Sequence, residues 1–447
     1  MGTYLQRANS SPSSQKKFTV STWVKVCREG GDKYMWSMRT DDSNWIGCRF
    51  AVNGCIILQV YTSGSTTGQL QTNAFFRDFS AWYHVVVAVD TTQSTAGDRL
   101  KLYVNGSQET SFSTTTNPSL NADIPITSNF QVATSPYSSQ YSSNSLDGYL
   151  AQFIYADNQA YSPSTFGSTN TNGIWIPNSS PSVTYGNNGF KLDFAGTGTA
   201  ANASGFGADS SGNGNHFASN SLGTNPSTTD TCQNNFATLN IRDERQSATF
   251  TKGALEVVTN SSNRNYVTMT QATKGGKWYL ECKFSDGAGN GYVGFCDMNN
   301  LQMSGTSTLG DKSNEARVNS DGSYEIGNST TSGWAGSFTD NDILGLALDC
   351  DNNRFTLSKN GQWADGSGNY DEANPTAYIT YTAGNFMSFA FGEGAGGATA
   401  TIEVNAGQPI FTISSSNSDA NGEGSFEYAV PSGYYALCTN NLAAHGG

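Results

Sequence analysis

Two stretches, DRLKLYVNGSQ (98–108) and DNNRFTLSKNGQW (351–363), decide the fold. Each is a strand-like run that ends in Asn-Gly, at Asn105-Gly106 and at Asn360-Gly361, before a polar step into the next run. A two-residue hairpin that follows the right-handed twist of its strands needs positive φ at both central residues, which Asn and Gly adopt at low cost. Because the two motifs lie far apart in the chain, the sequence predicts two separate antiparallel β modules.

Alternating apolar and polar residues surround both motifs. FTVSTWVKV (18–26), the run 46–60 and WYHVVVAVD (82–90) have the period-two pattern of half-buried strands. KWYLECKF (277–284) and ILGLALD (343–349) continue the pattern in the second half of the chain. No helical stripe of useful length and no heptad repeat occurs. We therefore predict an all-β fold with two antiparallel β-sandwich (jelly-roll) domains joined by a Ser/Asn/Gly-rich segment.

Shifts in composition set the domain boundaries. Residues 1–175 and 246–405 carry the strand patterns, whereas 176–245 is rich in Ser, Asn, Gly and Thr but keeps regularly placed phenylalanines. This middle segment is either a linker or a polar segment with short strands that decorates or joins both domains. Residues 406–447 form an aromatic-rich tail, which we expect to dock onto another surface.

Composition and charge exclude several classes of protein. Hydrophobic residues make up 36% of the 447 residues, aromatic residues 12% and charged residues 13%, which argues against disorder. The net charge of −13, with only 23 Lys and Arg, cannot neutralise a line of phosphates. No stretch reaches the roughly 20 apolar residues needed to cross a bilayer. We expect no nucleic-acid partner and no membrane insertion.

The first residues, MGTYLQRANSSPSSQKKF, lack the apolar core of a secretory signal. The eight cysteines are scattered, with no C-x-x-C pair. In a chain without a signal peptide, this usage predicts reduced thiols buried in strands. A disulfide between Cys48 and Cys55 across a hairpin is the alternative.

The N-terminal module resembles the laminin-G-like, concanavalin A-like jelly rolls. The resemblance lies in the order and spacing of KKFTVSTWVK, WYHVVVAVDTT, DRLKLYVNGSQ and DGYLAQFIYADNQAYSPSTFG, over about residues 4–170. It implies two curved antiparallel sheets packed face to face.

The C-terminal module resembles a SPRY domain, which is another two-sheet sandwich, over about residues 248–405. KWYLECKF, GYVGFCD, DGSYEIG, FTDNDILGLALDCDNNRFTLSKNGQW and FMSFAFG follow one another in that family's order. Asp342, which precedes the ILGLALD strand, and the Asn-Gly hairpin match the family pattern.

The whole chain resembles proteins of marine bacteriophages in which a laminin-G-like region, DSSGNGNHF, NNFATLN and an ending like PSGYYALCTNNL occur together. This resemblance implies a non-enzymatic virion structural protein: a tail or head fibre, an appendage or a decoration protein on the virion surface, made in the host cytoplasm. The implied partners are other virion proteins. We also expect weak, multivalent binding to a host-surface glycan or protein through exposed loops, and assembly symmetry alone favours a homo-oligomer. A polysaccharide-degrading glycoside hydrolase on a concanavalin-like fold is one alternative, and a purely structural capsid or tail decoration protein is another.

No pattern of catalytic groups in the sequence indicates an enzyme. Glycosidases need two carboxylates about 5–5.5 or 6.5–9.5 Å apart. The candidate pairs, Asp340 with Asp342 and Asp349 with Asp351, lie at the ends of a SPRY-type strand, where turn residues are expected. The only histidines are His84, His216 and His445, and because a Ser-His-Asp triad is recognised by geometry, the sequence leaves one open. We expect no catalytic residues.

The run DSSGNGN suggests calcium as a candidate cofactor. Asp209, Ser211 and Asn213 fall at positions 1, 3 and 5 of an EF-hand-like loop, but Asn220 stands where the bidentate Glu is needed. A self-hydrogen-bonded Asx turn is the alternative. A second, looser set of calcium candidates lies in the laminin-G-like loops: Asp41, Asp42 and Asp147.

Aromatic residues in polar loops are the best sequence sign of a ligand-binding surface, because a ring packs against a sugar or a side chain while its polar edge tolerates water. The alternative is that each ring caps the edge of a sandwich. The candidate residues, in or beside the loops 41–45, 135–143 and 364–375, are Trp45, Tyr137, Tyr141 and Tyr370.

Overall fold

A computed structural model describes residues 3–28, 30–222, 227–242, 248–259, 266–300, 309–394 and 399–446. The chain divides into two compact units, Met1–Ser227 and Thr228–Gly447. The sequence analysis places a domain boundary at 245/246, which lies outside the described residues. Within the described residues, no helix is long and apolar enough to cross a membrane.

The first unit contains two large antiparallel sheets. An eight-stranded sheet has the order β10-β6-β5-β4-β3-β11-β1-β16, and a six-stranded sheet has the order β15-β12-β2-β7-β8-β9. The strands are β1 (Tyr4–Ala8), β2 (Lys17–Val26), β3 (Lys33–Asp41), β4 (Asn44–Phe50), β5 (Ile56–Thr62), β6 (Ser65–Thr72), β7 (Tyr83–Asp90), β8 (Leu100–Val104), β9 (Ser107–Gln108), β10 (Phe112–Thr116), β11 (Asn129–Val132), β12 (Gly148–Asp157), β13 (Gly167–Thr169), β14 (Trp175–Pro177), β15 (Phe190–Leu192) and β16 (Ala218–Asn220).

The two sheets pack face to face around one apolar core. Trp36 and Ile46 of the eight-stranded sheet and Val87 and Phe153 of the six-stranded sheet belong to the same buried cluster. Removing this apolar surface from water is the main stabilising term, about 25 cal/mol per Å². The predicted jelly-roll architecture of this unit is confirmed.

The middle segment 176–245 does not stand apart as a linker in its described part. Its strand β15 pairs with β12, and its strand β16 pairs with β1, so it completes one edge of each sheet. Phe190 and Phe217 are fully buried and their rings lie 4.7 Å apart. Burial of the segment's phenylalanines explains why the stretch 176–222 belongs to the first unit.

The second unit repeats the two-sheet plan. A larger sheet runs β17-β18-β31-β20-β25-β26-β27-β28, with β29 on β26 and β32 on β20, and a six-stranded sheet runs β19-β30-β21-β22-β23-β24. The strands are β17 (Thr249–Thr251), β18 (Glu256–Val258), β19 (Tyr266–Thr268), β20 (Lys277–Asp286), β21 (Gly291–Asp297), β22 (Ala316–Asn319), β23 (Tyr324–Ile326), β24 (Ser329–Thr331), β25 (Ile343–Asp349), β26 (Arg354–Lys359), β27 (Gln362–Ala364), β28 (Tyr370–Glu372), β29 (Ile379–Thr380), β30 (Met387–Glu393), β31 (Thr401–Asn405) and β32 (Tyr435–Ala436).

In the described part of the chain, helical structure is confined to short pieces. Its one α-helix, α1 (Thr439–His445), lies in the tail. The 3-10 turns are Ala96–Asp98, Ser138–Gln140, Pro163–Thr165, Ala288–Asn290 and Met298–Asn300.

The C-terminal tail packs on the larger sheet of its own unit. Strand β32 pairs in parallel with β20, and Phe426 packs its buried ring against Tyr279 at 5.1 Å. The buried carboxylate of Glu281 accepts hydrogen bonds from the backbone N–H groups of Glu427 (2.9 Å) and Tyr428 (2.8 Å). The surface on which the tail docks is therefore a face of the second unit itself.

Both predicted hairpins form as two-residue turns. Val104 pairs with Ser107, and Lys359 pairs with Gln362. Asn105, Gly106, Asn360 and Gly361 have φ values of 47°, 81°, 48° and 83°, as this turn requires.

One strand prediction was wrong in its extent. The run 46–60 is two strands, β4 and β5, separated by a turn at residues 51–55 that contains Gly54 with φ of 85°. The period-two pattern of the run 46–60 passes over this turn, although Asn53-Gly54 within it is the same dipeptide that marks the two predicted hairpins. The eight cysteines are free thiols, and Cys48 and Cys55 do not form the alternative disulfide.

Candidate binding face of the first sandwich

The eight-stranded sheet has one face in the core and one face outside it. On β4, Ile46, Cys48 and Phe50 belong to the core cluster. Successive side chains on a strand point to opposite faces, so Trp45, Gly47 and Arg49 belong to the outer face. Neighbouring strands continue this outer face in three cross-strand rows.

The first row is aromatic. Arg39 pairs with Trp45, and Trp45 pairs with Tyr61. The Trp45 and Tyr61 rings stack at 5.3 Å with an angle of 24° between their planes. The Trp45 indole N–H donates to the Tyr137 hydroxyl at 2.8 Å, and the Tyr137 ring meets the indole edge-on at 5.6 Å.

This geometry corrects the placement of Trp45. It lies in β4, not in an exposed loop, and is only 3% exposed, because Tyr61 and Tyr137 cover it. The half-buried rings that border solvent in this row are those of Tyr61 and Tyr137. The sequence analysis missed Tyr61, although its position on β5 opposite Trp45 follows once the hairpin between the two strands is known.

The second row is made of amide and small side chains. Ser37 pairs with Gly47, Gly47 with Gln59, and Gln59 with Gln69. A Cβ atom at Gly47 would lie 2.9 Å from the Tyr34 ring, so only glycine lets that ring pack over the strand. Gln59 and Gln69 are half-buried, and each carries both a donor and an acceptor.

The third row centres on Arg49. Its Nε donates to the Asp32 carboxylate at 2.7 Å and its Nη1 to the Gln59 amide oxygen at 3.1 Å. The guanidinium lies 5.2 Å from the centre of the Tyr34 ring, and burial raises the pKa of Tyr34 to about 12. Ile57 and Gln71 continue the row on β5 and β6.

A loop folds over one side of this face. The buried Ser37 hydroxyl donates to the Gln131 amide oxygen and to the Thr134 carbonyl. Gln131 in turn donates to the Tyr141 hydroxyl, and the Tyr141 ring lies 4.7 Å from that of Tyr4. Tyr141 therefore anchors the loop, and the part of the face from β4 to β6 stays open.

A polar groove of about 600 Å³ opens at the same end of the sandwich as Trp45. It is lined by residues 9–16, Asp123 and Thr127, and the Thr127 hydroxyl lies 2.9 Å from that of Thr40 in β3. The Asp157 carboxylate holds the loop 9–16 in place, because it accepts hydrogen bonds from the backbone N–H groups of Ser13 (2.7 Å) and Ser14 (3.3 Å).

Tyr370, the fourth predicted aromatic residue, belongs to the second unit. It is half-buried, with the Lys359 ammonium 5.2 Å from its ring centre. Burial raises the pKa of its hydroxyl, which is buried and has no hydrogen-bond partner. Ligand binding by Tyr370 stays a prediction.

The candidate calcium residues form a closed turn. The two oxygens of Asp209 accept four hydrogen bonds, from the backbone N–H groups of Lys191, Ser211 and Asn215 and from the Ser211 hydroxyl. Asn213 donates its amide to the carbonyls of residues 186 and 189. These contacts are those of the Asx turn named as the alternative.

The second calcium set is not brought together. Asp41 accepts hydrogen bonds from the Ser43 N–H and the Asn44 amide at one end of the sandwich. Asp147 lies at the other end of the sandwich, next to the end of β2. Its backbone carbonyl there accepts a hydrogen bond from the Cys27 N–H. Among the described residues, no cluster of three His, Cys, Asp or Glu side chains could hold a metal.

His84 has a hydrogen-bonding pattern that does not activate serine. The Trp175 indole, which can only donate, contacts His84 Nδ1 at 3.0 Å. The proton of neutral His84 is therefore on Nε2, which donates to the Ser21 hydroxyl at 2.8 Å. Burial lowers the pKa of His84 to about 3, and the ring is stacked on Trp23 at 4.8 Å.

The carboxylates of the candidate pairs accept hydrogen bonds within turns or form ion pairs. Asp342 accepts hydrogen bonds from the Thr339 N–H and the Asn360 amide. Asp349 is fully buried and pairs with Arg354 at 2.9 Å and Lys277 at 3.3 Å, and its pKa is held below the usual range.

Comparison with known families gives one match. Residues 2–155 match the family model described as the concanavalin A-like lectin/glucanases superfamily. No curated protein sequence matches the chain.

Several solved structures are similar to parts of the chain. The SPRY domain of human HERC1 is 12% identical, with 36% of this chain and 92% of that chain covered and a TM-score of 0.28. Stonustoxin is 16% identical, with 38% of this chain covered but only 27% of its own length and a TM-score of 0.30. Domain 4 of the GH43 arabinanase AbnA from Geobacillus stearothermophilus, solved with arabinotriose, is 18% identical, with 33% and 64% covered and a TM-score of 0.26.

Proposed function

We propose that this protein is a non-enzymatic structural protein of a bacteriophage particle whose first unit binds host-surface glycan through the outer face of its eight-stranded sheet. The observation that carries the proposal is the composition of that face: an aromatic row, an amide row and a row centred on Arg49, all on adjacent strands. The concanavalin A-like match over residues 2–155 is compatible with carbohydrate binding.

The chemistry of the face suits a neutral polyhydroxylated ligand. Gln59 accepts from Arg49 and donates to Thr66, and Gln69 donates to Gln71. Because an amide has two N–H donors and two oxygen lone pairs, each side chain keeps one further donor and acceptor, which is the combination that adjacent sugar hydroxyls need. The half-buried Tyr61 ring supplies apolar contact next to these amides. Rows two residues apart along a strand are separated by about 7 Å, so three rows give room for more than one sugar ring.

Such a site is shallow, and we expect each copy to bind weakly. Many copies on one particle raise the overall affinity through effective concentration. Homo-oligomers with closed symmetry are the common way to present such copies, and other virion proteins would be the remaining partners. A protein receptor is the other candidate ligand for the same face.

The hydrolase alternative has less support. In the first unit, His84 donates to Ser21 instead of accepting its proton. In the second unit, Asp349 is ion-paired and its pKa is lowered. Burial raises the pKa of Glu281 to about 7, as a glycosidase acid requires, but this carboxylate is covered by the tail and accepts the N–H groups of Glu427 and Tyr428. Incubation with host polysaccharide should release no reducing ends, and turnover abolished by Asp342→Asn or Asp351→Asn would establish the alternative.

The binding proposal is tested with two variants of the open face. Tyr61→Ala and Gln59→Ala should each weaken binding to host polysaccharide about tenfold, because each loses roughly 1.4 kcal/mol of contact. Gln362→Ala, at an exposed turn of the second unit, is the matched control and should bind like the wild type. Affinities are measured by isothermal titration and by binding to an immobilised glycan panel.

Two outcomes would contradict the proposal. The first is that wild-type protein retains no glycan of the panel and none of the host polysaccharide. The second is that both face variants bind as tightly as wild type. A particle reconstruction separates recognition from the purely structural alternative, since a face buried against other subunits is not free to bind a receptor.

A further inference from the structure

The end of the first sandwich opposite Trp45 carries an exposed apolar tip. Strand β4 ends at Phe50, and the turn that follows presents Val52, which is 69% exposed. The loop after β6 presents Phe75, which is 53% exposed. We call Val52, Phe75 and Arg77 the apical tip.

The two loops of the apical tip are tied together. The Phe76 N–H donates to the Gly54 carbonyl at 2.7 Å, and the Arg77 Nε donates to the Asn53 carbonyl at 2.8 Å. The Phe76 ring turns inward and meets Tyr83 edge-on at 5.5 Å. The tip is therefore held in one shape, and little ordering entropy is lost when a partner docks.

Arg77 gives the tip a charge. Its guanidinium lies 4.3 Å from the centre of the Phe75 ring. Among the described residues, no Asp or Glu oxygen lies within ion-pairing distance of Arg77, and only its Nε is used by the Asn53 carbonyl. A stacked aromatic ring and a guanidinium with free nitrogens are the side chains that carry the most binding energy in protein interfaces.

The complementary charge is found on the second unit of this chain. It contains 23 of the 36 acidic residues but 11 of the 23 basic ones, a formal net charge of −12, whereas the first unit has −1. Several of its cations are used by carboxylates that are buried or half-buried, as in Arg317–Glu325 and Lys283–Glu403. Its exposed aspartates have no cation within ion-pairing distance in the described chain: Asp286, Asp321, Asp340, Asp351 and Asp371.

We propose that the apical tip is a docking surface for the acidic second unit of another copy of this chain. Phe75 and Val52 would be buried against that copy, and the Arg77 guanidinium would pair with one of its exposed carboxylates. The contact is heterologous, so it builds a ring or a filament of copies. It leaves the aromatic row at Trp45, at the other end of β4, free, whereas the row centred on Arg49 lies next to the tip.

The test is the self-association of the full chain. Sedimentation velocity over a concentration series should show assembly that weakens as salt is raised, because one side of the contact is an ion pair. Phe75→Ser and Arg77→Glu should each weaken the association at least tenfold. Leu120→Ser is the matched control, because Leu120 is 51% exposed on a loop bound to Thr91, at the opposite end of β7 from the tip.

A crosslinking measurement identifies which unit of the second copy contacts the apical tip. A photo-crosslinking amino acid at position 75, mixed with isotope-labelled wild-type chain, should yield crosslinks between copies into residues 228–447. A chain that stays monomeric at every concentration overturns the proposal, as do crosslinks confined to residues 1–227 of the labelled copy. Glycan binding is measured separately, so failure here leaves the proposed function standing.

Discussion

At the scale of single residues, His84 is a buried polar side chain whose two ring nitrogens are both hydrogen-bonded. His84 lies between two indoles, accepts a hydrogen bond at Nδ1 and donates one from Nε2. This arrangement is compatible only with the neutral ring, so burial lowers its pKa from 6.5 to about 3. A residue that could have been a catalytic base is instead a fixed part of the six-stranded sheet.

His84 makes the first unit sensitive to acid. Below about pH 6.5 the unfolded chain takes up a proton at this ring, whereas the folded ring stays neutral down to about pH 3. The unfolded state therefore binds more protons in this window, and the free energy of unfolding falls by about 1.4 kcal/mol for each pH unit lost. Urea unfolding of the first unit, followed between pH 7.5 and 4.5, should show this slope.

The His84→Gln variant should flatten the slope. Glutamine can accept from Trp175 and donate to Ser21, but it does not titrate. Above pH 7.5 the free energies of unfolding of the variant and the wild type should differ by a constant amount that does not depend on pH. Equal slopes below pH 6.5 would show that other groups cause the acid sensitivity.

At the scale of elements, the C-terminal tail is an internal part of the second sandwich. Residues 235–239 pair with it: the Ala237 N–H donates to the Leu437 carbonyl, and the Thr439 N–H donates to the Asn235 carbonyl. Thus NNFATLN and the PSGYYALCTNNL ending, which were associated by resemblance, are neighbours in space. Deleting residues 423–447 would remove buried core side chains, among them Phe426 and Leu437, and would therefore destabilise the second unit.

A point substitution measures how much the tail contributes to the stability of the second unit. Phe426→Ala should lower the free energy of unfolding of the second unit by about 3–5 kcal/mol, because the Phe426 side chain is fully buried against Tyr279. Phe386→Ala, at a phenylalanine that is 53% exposed, is the matched control and should change it by less than about 0.5 kcal/mol. If both variants unfold at the same urea concentration as wild type, the tail is not part of the cooperative core.

At the scale of the whole molecule, the charge is unevenly divided between two units of similar fold. The second unit carries a formal −12 and the first −1. Repulsion among like charges destabilises a compact state, and salt screens it over about 10 Å at 0.1 M. Raising NaCl from about 50 mM to about 500 mM should therefore stabilise the second unit more than the first.

Hydrogen exchange distinguishes the two units within the intact chain. Peptides from β25 in the second unit should gain more protection with salt than peptides from β7 in the first. Because β25 and β7 are both central, buried strands, they form a matched pair. Equal gains in the two strands would show that surface repulsion does not limit the stability of the second unit.

Local chemistry in the sequence determined the all-β class, the two Asn-Gly hairpins and most of the central strands. These features depend on neighbours within a few residues: positive φ at Asn105 and Asn360 and the alternation within β2, β7 and β25. No distant contact is needed to specify them.

Tertiary structure alone decided the candidate site. Trp45 appeared in the sequence as a loop aromatic, but pairing of β4 with β5 places Tyr61 over it and aligns Gln59 with Gln69 across the next strand. Likewise, the middle segment belongs to the first sandwich because the rings of Phe190 and Phe217 pack against each other and against Phe130 in the core. Cross-strand neighbours are set by register between segments far apart in the chain, which a single sequence does not specify.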